Sequence, residues 1–141
     1  MSKIKGISAE LTERLNWLVC LGDLFSSYEK NKNDKFYTTI KKAEILNPWF
    51  SEQNINTSIN YWQSKLKLNI ISAWISKYEM IETPPIQVGI VMAGNFPFAG
   101  LHDLICVIIS GNIALVKPSK SDKILIGYLI DYLWNKFPKS K

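Results

Sequence analysis

At 141 residues, 47% hydrophobic and 21% charged, the chain is long and apolar enough to bury a core, which excludes wholesale disorder. Its most apolar stretch, 88–116, is broken by Asn95, Pro97, His102, Asp103 and Asn112, so it does not read as a membrane span of ~20 clean apolar residues. The net charge of +5 rests on scattered lysines, with Arg14 the sole arginine, and a chain so poor in the residue that grips bases and phosphates bidentately speaks against a nucleic-acid partner.

The start, MSKIKGISAELTERL, is polar and carries no apolar h-region, so no secretion signal is expected and the cytoplasm is the expected location. Ser8 then reads as an N-cap with Glu10 in the first turn, where an acidic side chain complements the helix dipole. Leu11, Leu15, Leu18, Phe25 and Tyr28 keep near a 3.6-residue spacing, which predicts an amphipathic helix over 9–29. The polar run 30–34 breaks it. A second helix is predicted over 36–46, stopping before Pro48 because the residue preceding proline avoids the α region. Ser51 caps a third, with Ile55, Ile59, Trp62 and Leu66 at helical spacing as far as about 65. A fourth, over 68–78, carries Ile71, Trp74, Ile75 and Tyr78 on one face. These aromatic stripes read as core.

Pro84-Pro85 cannot continue a helix and marks the one internal boundary, dividing the chain into a helical region, 1–85, and a second part, 86–141. Beyond it the hydrophobic period changes. Residues 86–93, Gln87 apart, are apolar on both sides and rich in β-branched residues, which predicts a strand buried on both faces of a parallel sheet. A turn over 94–97, a helix over 98–110 ended by Gly111 at C′, and a second buried strand over 113–117 follow. After a turn at 118–121, Ser121 is the expected cap of a last helix over 122–136. The order strand, helix, strand, helix is a βαβα unit, and the fold class is α/β.

Ligands of open α/β sheets bind beyond the carboxyl ends of the strands. Two polar segments stand there: Gly94-Asn95-Phe96-Pro97 and Lys117-Pro118-Ser119-Lys120. Asn in such a turn either caps the backbone or points its amide outward. Cys20 and Cys106 belong to no CxxC pair and sit among apolar residues, so both read as inert core thiols. Cys106 lies toward the C-terminal end of its helix among Leu, Ile and Val, surroundings that raise a thiol pKa and argue against a nucleophile. His102-Asp103 suggests a dyad, but adjacent helical residues point about 100° apart, and a helix-surface pair is the expected role.

The stretch VGIVMAGNFPFAGLHDLICVIISGNIALVKPSKSDK resembles the aldehyde dehydrogenase pattern of strand, Asn-Phe-Pro, helix, Gly-Asn, strand and Lys-Pro-Ser. The form VGIVMAGN…GLHD is similar to that of the LuxC-like acyl-CoA reductases, fatty-acid reductases related to bacterial bioluminescence. The resemblance implies that 86–141 is the start of a Rossmann-type cofactor domain of aldehyde-dehydrogenase type, incomplete here. It implies a longer parent whose nucleophilic cysteine lies outside this chain, so that the chain is a fragment. In full, such an enzyme reduces an acyl-CoA or other acyl thioester to a fatty aldehyde through an acyl-cysteine. Asn95 then corresponds to the oxyanion donor. Lys117, with Ser119 beside it, corresponds to the lysine that binds the cofactor ribose, and Met92 and Ala93 line the cofactor through backbone atoms. Many NAD-preferring relatives carry Glu after Lys-Pro-Ser, whereas this chain has Lys120, a cation that suits the 2′-phosphate of NADPH. No metal is implied. The alternative is a catalytically inactive binding or structural fragment of the same fold. A parallel sheet cut short is expected to expose apolar surface and to self-associate.

Overall fold

The computed structural model describes residues 8–28, 30–81 and 83–138. Four helices come first. In α1 (Ala9–Ser27) the Ser8 Oγ accepts from the Leu11 N–H at 3.2 Å, and Leu11, Leu15, Leu18, Leu21 and Phe25 form its buried stripe. The cap and the stripe agree with the spacing argument. In α2 (Lys35–Leu46) the cap is Asp34, whose carboxylate accepts from the Phe36 N–H, and the helix ends at Asn47, which turns extended ahead of Pro48. Ser51 caps α3 (Glu52–Lys65) by accepting from the Asn54 N–H at 3.3 Å. The fourth helix, α4 (Leu68–Ile75), is shorter than its apolar spacing predicts: the chain leaves it at Ser76, and Tyr78 is exposed rather than part of the core.

After the prolines come β1 (Gln87–Val91), α5 (Leu101–Ile109), β2 (Ile113–Lys117) and α6 (Lys123–Lys136). The two strands pair in parallel with Gly89 opposite Leu115, and α5 is the connection between them. Backbone bonds extend the ladder at both ends, from the Ile113 N–H to the Ile86 carbonyl and from the Met92 N–H to the Lys117 carbonyl. The fold is therefore mixed α and β, with six helices and a two-stranded parallel sheet among the described residues.

Three expectations for this half need correction. The strands are not buried on both faces: Val88, Ile90, Ala114 and Val116 turn toward the helices, while Val91 is 78% exposed and Ile113 and Leu115 about half exposed on the other side. An apolar run signals a strand that two layers could cover, but only one layer is present among the described residues. The helix predicted from 98 starts at Leu101, because Phe98 takes a left-handed φ of 59° that no helix admits. Ser121 is not the cap of α6. Asp122 occupies that position, and its side chain bonds elsewhere. Gly111, by contrast, ends α5 as expected with φ +82°, and a Cβ there would also meet the Arg14 guanidinium.

One hydrophobic core joins the two halves of the chain. Phe25 of α1 lies edge-on to both Phe36 of α2 and Phe98 of the turn after β1, at 5.7 and 5.1 Å between centroids. The core continues from Leu15, Leu18 and Leu21 through Ile55 and Ile59 to Ile90, Leu104, Leu125 and Leu129. The boundary at the prolines thus separates segments of sequence that share one packed interior.

Candidate functional site

The carboxyl end of the sheet is held from below by the helical half. The buried Ser58 hydroxyl of α3 donates to the Pro97 carbonyl at 2.8 Å, and the buried Asn47 amide donates to the Ser121 carbonyl at 3.1 Å. One strap holds each of the two polar turns. The turns also touch each other: a Cβ on Gly94 would collide with the Ser119 side chain, so only glycine lets the segment after β1 close onto the segment after β2. Ser119 Oγ in turn accepts from the Ser121 N–H at 3.2 Å.

Asn95 sits in this junction, exposed, and its side chain makes no hydrogen bond with the described residues. That separates it from the asparagines that shape turns. Asn47 accepts from the Trp49 N–H, Asn31 from the Asn33 N–H, and Asn112, the other asparagine of the motif, from the Ile86 N–H. Asn112 therefore fixes the start of the strand pair, while the amide of Asn95 is free to meet a ligand. Lys117 and Lys120 are exposed on the β2 side of the junction, Ser119 is half-buried, and Ala93 is exposed on the β1 side. Met92 offers less than expected: its side chain is buried over Gly100 and its N–H is bonded to the Lys117 carbonyl, leaving only its carbonyl for a ligand.

Asp122 is the residue that sequence reasoning missed. It is 1% exposed, and its Oδ2 accepts from the Phe98 N–H at 2.9 Å, while Oδ1 has no partner among the described residues. Burial pushes its carboxyl up to about 7, with the Phe98 N–H pulling the other way. The carboxylate thus clamps the left-handed Phe98, which costs about 1–3 kcal/mol in an L-residue and persists only where surroundings enforce it. The Ser121-Asp122 pair held a signal, since either residue can cap a helix. Which of them turned inward could not be read from spacing.

The comparisons do not name a relative. No model of a known protein family, no curated protein and no solved structure matches this chain.

The two cysteines are less buried than the core thiols expected. Both are half-buried with polar neighbours. Cys106 Sγ lies 3.8 Å from His102 Nδ1 and 4.0 Å from Nε2, so it faces the side of the ring rather than a single nitrogen. His102 Nδ1 also lies 3.6 Å from Asp103 Oδ1, closer than adjacent helical positions suggest, with both side chains largely exposed. Burial and then the Asp103 charge push the Cys106 thiol up, away from the thiolate that a nucleophile requires. Among the described residues no group of His, Cys, Asp and Glu is arranged to hold a metal ion, and no helix is long and apolar enough to cross a membrane.

Proposed function

We propose that this chain supplies the oxyanion donor and the first part of the cofactor bed of an NADPH-dependent acyl-thioester reductase resembling the LuxC-like enzymes, with the acylated cysteine lying outside it. The observation that carries the reading is the unengaged Asn95 amide at the carboxyl end of β1, closed by Gly94 onto the Ser119 turn. The donor set suits the cofactor. Lys117 and Lys120 present ammonium groups to solvent at the strand end, and Ser119 Oγ, already accepting from Ser121, keeps its proton to donate. Lys117 and Ser119 would hold the ribose and Lys120 its 2′-phosphate, and the bound cofactor supplies the hydride.

The chain's own contribution to the reaction is electrostatic. Reduction of a bound thioester would place growing negative charge on the former carbonyl oxygen. An amide aimed at that oxygen by a rigid turn stabilises the transition state more than the ground state. The Ser58 and Asn47 straps and the Asp122 clamp keep the turn from moving as charge develops. In the enzyme carrying the cysteine, Asn95→Ala lowers kcat by about 10²–10³ and leaves cofactor affinity within about twofold. A variant that loses NADPH binding and keeps kcat would overturn the oxyanion role.

The surroundings of Cys106 favour a second reading, a catalytically inactive binding or structural fragment of the same fold. Incubation of the purified chain with a long-chain acyl-CoA, followed by intact-mass measurement, separates it from an acylating protein. No acyl adduct is expected, and an adduct lost on Cys106→Ser would reassign the nucleophile.

A further inference from the structure

Where α1 meets α6, outside the residues of the sheet-end site, three reactive side chains converge. The Lys136 ammonium donates to Cys20 Sγ at 3.3 Å, and the Tyr132 hydroxyl lies 3.4 Å from the same sulfur. Residues separated by 112 and 116 positions thus meet at one atom. The arrangement is braced: Lys136 Nζ stands over the Tyr132 ring at 5.3 Å, and that ring stacks on Tyr128 at 6.4 Å. Cys20 is half-buried and Lys136 is exposed, which leaves the sulfur within reach of a small molecule from solvent.

We propose that Cys20, Lys136 and Tyr132 form a modification site for hydrogen peroxide. A thiolate is the attacking species in such chemistry, and an ammonium proton directed at sulfur gives its negative charge a partner. The sulfur attacks one peroxide oxygen, so that the S–O bond forms as the O–O bond breaks. Sulfur is oxidised by two electrons to the sulfenic acid, and the peroxide is reduced. The departing hydroxide takes a proton from the Lys136 ammonium and leaves as water, after which the lysine is reprotonated from solvent. Tyr132 and then Cys20 hold the Lys136 ammonium above the usual lysine range, and a lysine is charged at neutral pH even without that shift. Cys106 provides the internal comparison. It lies beside the His102 ring instead of an ammonium, and burial and then the charge of Asp103 push its thiol up.

The test uses the reduced 141-residue chain. Hydrogen peroxide is added in steps in the presence of dimedone, which traps sulfenic acid, and the adducts are mapped by peptide mass spectrometry. Cys20 is expected to label at least about fivefold faster than Cys106. Lys136→Met keeps the aliphatic stem and removes the charge; it should slow Cys20 by about three- to tenfold while leaving Cys106 unchanged, and Lys136→Arg should restore most of the rate. Equal labelling of the two cysteines in the parent would overturn the proposal whatever the variants do. So would a Cys20 rate that Lys136→Met leaves unchanged.

Discussion

Replacing Asp122 with Asn preserves the shape of the side chain and the acceptor for the Phe98 N–H, but removes the ionisable group. The carboxyl titrates at an ordinary 3.8 in the unfolded chain and at about 7 in the folded one, where burial disfavours the charge. Below pH ~4 both states are protonated and the group favours neither. Between ~4 and ~7 the unfolded chain ionises while the folded chain does not, so stability falls by about 1.4 kcal/mol per pH unit. Above ~7 both are ionised and the loss levels off, at a ceiling of about 4 kcal/mol. The partial positive charge at the start of α6 favours the ionised form and lowers that ceiling by up to about 2 kcal/mol. In urea titrations at several pH values, Asp122→Asn and the parent should therefore match near pH 4. The variant should become more stable by about 2–4 kcal/mol at pH 8. Parallel pH profiles for the two proteins would refute the reasoning, and would mean that water or rearrangement reaches the carboxylate. Asp122→Ala is the control: it lacks the acceptor for Phe98 and should be less stable than Asp122→Asn at every pH.

Cofactor choice should follow Lys120. Reversing its charge with Lys120→Glu should reduce the ratio of NADPH to NADH affinity by about tenfold at low salt, and by less as ionic strength rises. Tryptophan-to-nicotinamide energy transfer measures both affinities, and an unchanged ratio would mean that the side chain points away from the phosphate. The uncovered sheet face, where Val91, Ile113 and Leu115 stand exposed, should drive concentration-dependent self-association. Leu115→Lys should shift sedimentation toward the monomer, and the reasoning fails if the parent is itself monomeric at high concentration.

Much of the local structure could be read before any contact was known. Ser8 and Ser51 cap the helices they announce, Pro48 ends α2, Gly111 closes α5, and β2 spans the residues its apolar run marks out. These features depend on dihedral preferences and on side chains bonding a few residues away, so the information is contained in a short window. The two polar turns were also legible as strand ends. Other features were decided only when distant segments packed. Asp122 turned inward because Phe98 offered a buried N–H. Cys20 acquired a cation because α6 laid Lys136 against α1, and Asn95 was left free because its turn is held by Ser58 and the Gly94 contact rather than by its own amide. The sheet's open face belongs to the same class. An apolar strand records that it can be covered on two sides, but the number of layers that reach it is a property of the whole fold.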